Sequence, residues 1–566
     1  MGSRAVEKLV KKIEKWDSSR KNYPFEHYKC EVANLMKAFL NDDIQYFLDF
    51  WKEKNQNSFF ELNHPFYNDI KTRAVYNIRF GPINFVFMID RDNKYPWIFG
   101  QCQSLIDSII FDGYVYVISK VMQVDLFNSI PKLSQVDVSG IYFKDIEFGF
   151  LLEQRRPMHY FYDQLRYFIR FDCPKNIYAD NSFFIPRSSL ISNKIDENVY
   201  LFPSGIAATQ MSTVIDYAKS NEVVRKIDHE LEAFIREEVL QGKKKQKNNF
   251  YDLILWFTIC TEHRVWVQQI SGYLNIASEL LKYFKNIKIY FDGITADEGK
   301  KIENSFDWHI FNKIKEVFSD IKGCDIEPLI GISYREKILK GNEIDYFICE
   351  SGTATIVPLK FLEKDGVVYS NSNYYKVCNI SECLSKVKIV NPIFLQDVLM
   401  HKKALFQHVH IPWQHLFNLL VEVIGDSKIC KIEVPSLNEV VLNWAFQEII
   451  EYKENKIWYE KIYDFALIFA KANQFEVATI LIENIFNFLN KEQKINANDQ
   501  LKLYREFIKN NESDKIIQDN EKLEKDNQDI QAKNKQLQDI ISSHDFKKQT
   551  LEIKNLEQDN TLKQLQ

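Results

Sequence analysis

The sequence predicts an α/β protein with two Rossmann-like domains, helical additions at the N- and C-terminal ends, and a C-terminal coiled coil. Three observations carry this. Residues 249–373 alternate strand-like and helix-like segments, as parallel strands with crossover helices do. A strand-rich stretch from Tyr76 to about Phe150 precedes them. A polar tail with apolar residues every seven positions follows.

The chain has 566 residues, several times the usual domain size of about 100–150, so more than one core is expected. Apolar residues make up 45% and charged residues 27%, an ordinary globular balance. The aromatic share of 14%, with 43 Phe and 28 Tyr, suits large cores and sugar-stacking surfaces alike. A net charge of −5 gives no overall electrostatic footprint for nucleic acid, and none is expected as a partner. Nine cysteines are scattered, odd in number and never spaced C-x-x-C, which disfavours zinc fingers and disulfide frameworks. No basic-then-apolar leader and no run of about 18 apolar residues stands out, so a reducing, cytoplasmic address is expected.

Residues 1–75 read as a helical N-terminal region, with Leu9, Ile13, Trp16 and then Ala33, Met36, Phe39, Leu40 at helical spacing. Residues 76–247 read as the first α/β domain. Its strands are Ile83 to Ile89, Tyr114 to Ile118 and Val136 to Phe143, all rich in β-branched and aromatic residues. Within it, Pro157 opens a helix running to about Phe171, which puts His159 and Asp163 on one face. The Lys243, Lys244, Lys245, Lys247 run reads as a solvated interdomain loop.

Residues 248–400 read as a Rossmann-like domain. Strands are expected at Leu253 to Cys260, Ile287 to Phe291, Pro328 to Ile332, Tyr346 to Cys349 and Val367 to Tyr369, and helices at Gln268 to Phe284 and Asp307 to Phe318. Ser333 and Glu336 have capping-box spacing, which opens another helix. Residues 401–510 read as a helical C-terminal region through Leu416 to Val423, Val440 to Ile450 and Phe465 to Leu489. In residues 514–566, Ile516, Leu523, Ile530 and Leu537 repeat every seven positions, with Asn520, Asn527, Asn534 and Ile541 at the other core position. Repeated core Asn fixes register, so a homodimer or higher oligomer is expected.

Ligands of an open parallel sheet bind beyond the carboxyl ends of its strands. Glu262-His263-Arg264, Asp292-Gly293, Ser333 to Glu336 and Glu350 to Thr355 fall there. Ser351, Gly352 and Thr353 let the backbone approach a phosphate or diphosphate and present N–H groups and hydroxyls to it; plain capping uses the same residues. Arg264 suits the same diphosphate, Glu350 suits ribose or sugar hydroxyls, and Asp292 either binds substrate or merely ends its strand. Arg155, Arg156, His159 and Asp163 form a second constellation that can position an acceptor and take its proton, or serve as a surface helix with an internal ion pair. His401, His408, His410 and His415 lack a carboxylate or Cys at ligand spacing, so packing is favoured over a metal. The sequence has no G-x-G-x-x-G, Walker motif or G-x-S-x-G elbow.

In the pattern His159, Asp163, Leu165 the chain resembles the family 61 glycosyltransferases and related bacterial surface-polysaccharide enzymes of the GT-B type. Tyr160 and Arg166 stand where that family usually has Trp and Pro. Arg264 and the Glu350 to Thr355 turn resemble its second-domain features, with Glu350 in place of the usual His and Gln268 and Gln269 in place of Asn and Glu. The resemblance covers about residues 155–373.

It implies two facing Rossmann-like domains and transfer of a sugar from a nucleotide-sugar donor to a glycan or lipid-linked acceptor in bacterial surface polysaccharide or glycoconjugate synthesis. The transfer would be inverting and metal-independent, with no cofactor, Asp163 or His159 as base, and Arg155, Arg156, Arg264, Asp292, Glu350, Ser351, Gly352 and Thr353 as substrate contacts. Peripheral association with the inner membrane and a CMP-linked acidic sugar donor are variants of this reading. The alternative is a non-catalytic coiled-coil scaffold of a glycan-assembly complex, which predicts no nucleotide binding.

Overall fold

The computed structural model describes residues 4–14, 20–118, 123–171, 177–179, 181–187, 198–206, 222–242, 250–373, 387–398 and 404–437, and parts of 439–511. The expected coiled coil at 514–566, the lysine run at 243–247 and His401 lie outside these residues. The chain divides into two compact units, Met1–Val440 and Val441–Gln566.

The first unit opens with helix α1 (Arg4–Glu14), strand β1 (Arg20–Asn22), and helices α2 (Glu31–Leu40) and α3 (Ile44–Asn55). Strands β2 (Glu61–His64), β3 (Tyr67–Phe80), β4 (Ile83–Asp90), β5 (Trp97–Gln101), β6 (Ser108–Phe111) and β7 (Tyr114–Val117) follow, then helix α4 (Gln123–Leu133). They form a seven-stranded sheet ordered β1-β7-β6-β5-β4-β3-β2. Strand β4 is buried along its whole length because its two faces enter different cores. Phe85, Phe87 and Ile89 pack with Val6, Leu9 and Ile130 of α1 and α4, while Val86 and Met88 join Leu35 and Phe47 of α2 and α3.

This corrects the sequence reading in three places. The segment expected to be helical up to residue 75 already contains β2 and the start of β3. Strands β4 and β7, expected to open a Rossmann-like domain, belong to a sheet that is antiparallel except for the β1–β7 pair. Val136 to Phe143 is not a strand, because the Asp137 carboxylate accepts the Ser139 N–H at 3.0 Å and Ile141 N–H donates to Val138 at 3.0 Å, which turns the chain.

Strands β8 (Phe148–Leu151), β9 (Ile177–Tyr178) and β10 (Val199–Leu201) form a three-stranded parallel sheet ordered β10-β8-β9. Between β8 and β9 runs the expected helix, here α5. It has α turns at Pro157–His159 and Arg166–Phe168 around a π-helical stretch at Tyr160–Leu165, and it ends short of Phe171. Helix α6 (Glu222–Leu240) follows β10 and buries Ile227, Leu231 and Ile235.

The largest parallel sheet is doubly wound, as expected for residues 248–400. It comprises β11 (Leu253–Thr258), α7 (Gln269–Leu280), β12 (Ile287–Asp292), α8 (Phe306–Phe318), β13 (Cys324–Leu329), α9 (Tyr334–Gly341), β14 (Tyr346–Glu350), β15 (Asp365–Tyr369) and β16 (Val387–Ile389). All six strands are parallel, in the order β13-β12-β11-β14-β15-β16. The composition of β11 accounts for its central place, since all six residues are buried. Leu255 and Phe257 face Ile276 and Phe311 on one side, and Ile254 and Trp256 face Ile338 and Phe361 on the other. The third strand stops at Leu329 rather than Ile332. Gly331 takes φ 71° there, and a Cβ at that position would collide with the Ile302 carbonyl oxygen.

Strands β17 (Gln396–Val398) and β18 (His408–His410) pair antiparallel, and α10 (Trp413–Ile424) packs Leu416, Phe417 and Leu420 into the core of the doubly wound sheet. The second unit holds α11 (Phe475–Ile485) and α12 (Lys491–Asn511), which pack together with the Phe475 and Tyr504 rings 5.5 Å apart. No helix among the described residues is long and apolar enough to cross a membrane.

Candidate functional site

The strand order reverses at β11, whose neighbours are β12 and β14. Crossover helices leave in opposite directions from such a point, and the crevice they open lies beyond the carboxyl ends of the strands. There the structure has a solvent-open cleft of about 540 Å³. It is lined by Thr258 to Arg264 after β11, Asp292 to Thr295 after β12, Ser305 to Asp307 at the start of α8, and Glu350, Thr353 and Ala354 after β14. Arg155, Pro157 and Phe183 of the first half line it too. The shared lining follows from aromatic packing: Phe161 of α5 meets Tyr334 of α9 at 4.9 Å and Phe361 at 5.0 Å, and Phe183 meets Tyr334 at 5.8 Å.

The β11 loop is held at several points. Val409 N–H donates to Val265 at 2.9 Å, Val267 N–H donates to Val409 at 3.0 Å, and Gln269 bridges the two ends of the loop through Cys260. Arg264 sits in the left-handed region, φ 53°, a conformation that costs about 1–3 kcal/mol for a non-glycine residue and persists only when its surroundings enforce it. Its guanidinium pairs with Glu350 through Nε and reaches the Ser351 carbonyl at 3.4 Å. Burial pushes the Glu350 carboxyl up to about 7, against the pull of Arg264 and the Ser351 hydroxyl. After Glu350 the turn expected from the sequence is present. Gly352 has φ 114° and ψ −136°, and the chain then enters a short 3-10 turn, Thr353–Thr355, and a π-helical stretch, Ile356–Phe361. Against the sequence expectation, Ser351 is buried, with its N–H donated to the Tyr369 carbonyl at 2.8 Å and its hydroxyl to Glu350, and neither Ser351 nor Gly352 lines the cleft; of this turn Glu350, Thr353 and Ala354 do.

On the β12 side, Asp292 pairs with Lys337 at 2.5 Å. Lys337 also donates to the Gly293 carbonyl and the Thr295 hydroxyl, each at 2.7 Å. Burial raises the Asp292 carboxyl and Lys337 opposes this. Asp307 accepts from the Thr261 hydroxyl and the Ile294 N–H, both at 2.5 Å, and a Cβ on Gly293 would press on its carboxylate at 2.8 Å. His263 stacks on Phe406 at 4.3 Å, and its pKa is lowered by burial and by the nearby Arg264 and Arg156 charges. Arg264 and, from the first half, Arg155 both line the cleft.

The expected acceptor-side constellation is divided. Arg155 and Arg156 are exposed, and Arg155 lines the cleft. His159 and Asp163 meet as expected, Nδ1 to carboxylate at 2.6 Å, but both are buried and neither lines the cleft. Gln103 Nε2 lies 3.0 Å from His159 Nε2, and with Nδ1–H donated to Asp163 that amide donates to the ring. The described members of the histidine cluster are structural: His408 Nδ1 accepts the Val265 N–H, His410 meets Gln268 at 2.6 Å, and His415 accepts the Asn391 N–H and stacks on Phe394 at 4.1 Å. Sequence reasoning missed Thr261, Phe306, Asp307 and Lys337. The available signal was Ser305 as N-cap, which places Phe306 and Asp307 in the first turn of α8 at the cleft.

No family model and no curated protein matches the chain. Among solved structures, it is similar to a point mutant of S. aureus TarM in complex with Fondaparinux, alpha-GlcNAc-glycerol and UDP, at 11% identity over 80% of this chain and 88% of that one, with a TM-score of 0.20. A superposition that loose carries no argument about this chain's site or chemistry.

Proposed function

We propose that this chain is a nucleotide-sugar-dependent glycosyltransferase. One observation carries the reading: the cleft opens at the switch point of a six-stranded parallel sheet and is lined at one end by the Arg264–Glu350 pair with Thr353 and Ala354 beside it. A diphosphate there gains charge-assisted hydrogen bonds from Arg264 and backbone N–H groups, which strengthen as charge develops on the departing phosphate. Arg155 and Arg156 approach from the first half and hold the acceptor side. His159, which does not line the cleft in this structure, serves as base through Nε2 only after the Gln103 side chain swings away and admits an acceptor hydroxyl, with Asp163 fixing the tautomer and stabilising the imidazolium. In this reading the transfer inverts configuration, the positive side chains supply the charge a metal would, and the acceptor is a glycan or lipid-linked glycan of the bacterial surface. The tail at 514–566 joins two or more copies.

A non-catalytic nucleotide-binding protein is favoured by a different observation: Asp292, Asp307 and Glu350 are each already engaged, and the His159–Asp163 pair is buried behind Gln103. Purified protein offered a panel of nucleotide sugars with and without glycan acceptors separates the two. Acceptor-dependent release of a nucleoside diphosphate supports the transferase, and binding without release at any acceptor concentration supports the second reading.

A further inference from the structure

Phe306 is the most exposed large apolar side chain among the described residues, at 82%, and it lines the cleft. The ring stands in water while everything behind it is fixed. Ser305 caps α8 by accepting the Trp308 N–H at 3.4 Å, Asp307 is buried and holds Thr261 and the Ile294 N–H, and the Trp308 indole donates to the Ile302 carbonyl at 3.0 Å. An aromatic face kept bare on a rigid support gains free energy only when something covers it. The other rings at the cleft are already used: Tyr334 packs on Phe161 and Phe183, and His263 lies flat on Phe406. Ile294, 41% exposed, adds a second apolar group to the same rim.

We infer that Phe306 is the stacking platform for the nucleobase of the bound nucleotide. The inference rests on the nucleotide reading of the cleft and deepens it. Arg264 and the Glu350 turn mark the anion end, between β11 and β14, whereas Phe306 begins the helix that follows β12, on the far side of β11. Asp307, next in the chain, holds Thr261 of the β11 loop and the Ile294 N–H beyond β12, which anchors Phe306 on the β12 side of the cleft. A ligand satisfying both ends carries a diphosphate at one and a flat ring at the other. A pyranose also presents a face that stacks, and the test separates it from a base.

Calorimetric affinities of wild type, Phe306→Ala and Phe306→Trp are compared for a nucleoside diphosphate, inorganic pyrophosphate and a hexose 1-phosphate. The expected result is a loss of about 10- to 100-fold for the nucleoside diphosphate in Phe306→Ala, with pyrophosphate unchanged and affinity kept in Phe306→Trp. Unchanged nucleoside diphosphate affinity in Phe306→Ala overturns the platform and leaves the nucleotide reading standing. A loss confined to the hexose phosphate, or shared equally by pyrophosphate, overturns it as well. If wild type binds no nucleoside diphosphate, both readings fall together.

Discussion

Arg264 and Glu350 stand 86 positions apart in the chain and form a partly buried ion pair at the carboxyl edge of the sheet, where β11 and β14 lie side by side. Each residue has two tasks there, since the pair closes the end of the cleft and also sets the charge that a ligand meets.

The pair makes stability depend on pH in a direction the geometry fixes. Burial raises the Glu350 carboxyl from 4.5 to about 7, so the folded chain holds a proton that the unfolded chain has lost. This contribution to stability falls as pH rises from 4.5 to about 7 and is level above that. Arg264→Ala removes the charge that restrains the shift, so its stability keeps falling above pH 7, whereas Glu350→Gln loses the slope. Urea unfolding at half-unit steps from pH 5 to 9 checks this, and parallel curves for all three proteins contradict it.

Lys337 is nearly inaccessible, pairs with Asp292 and donates to the Gly293 and Ile294 carbonyls and the Thr295 hydroxyl. Lys337→Met leaves the Asp292 carboxylate buried without its counter-charge, and a loss of about 3–5 kcal/mol is expected by denaturant titration. Adding Asp292→Asn restores part of it. A single-variant loss under about 1 kcal/mol shows that the ion pair is not what fixes this loop.

Gly352 adopts φ 114°, a backbone conformation that a side chain rarely enters. Gly352→Ala therefore costs about 1–3 kcal/mol and displaces the turn that carries Ser351 and Thr353. Thermal unfolding and nucleotide affinity are expected to fall together; wild-type affinity in a destabilised variant places the anion elsewhere.

His159→Gln and Asp163→Asn are expected to keep nucleoside diphosphate affinity and to lower transfer by about 100- to 10,000-fold, the range of a lost general base. Single-turnover rates with saturating donor measure this. Transfer at the wild-type rate in both variants makes the pair a structural element of α5.

The doubly wound sheet is legible in the sequence almost element by element, because its strands are short apolar runs bounded by turn residues and its helices announce their starts. The Ser333 and Glu336 capping box forms in full, Ser333 side chain to Glu336 N–H and Glu336 side chain to Ser333 N–H. The order of the strands is not legible, and with it the meeting of Arg264 with Glu350, since proximity across parallel strands leaves no local signature. Lys337 reads as an ordinary helical lysine because nothing in its neighbourhood reveals that this face of α9 is buried over β12. The seven-stranded sheet reads as part of a Rossmann-like domain because strands buried on both faces lose the alternation that marks antiparallel pairing. Helical spacing puts His159 and Asp163 one turn apart, as they are, but it says nothing about exposure, and the pair is covered.

The central claim is that the cleft binds a nucleotide through Arg264, and thermal unfolding in the presence of UDP, GDP and CMP tests it most directly. A ligand at 100 times its Kd adds about 2.7 kcal/mol of stability. A shift of that order is expected for one nucleotide above the others and is absent in Arg264→Ala. No shift with any nucleotide, or an equal shift in Arg264→Ala, contradicts it.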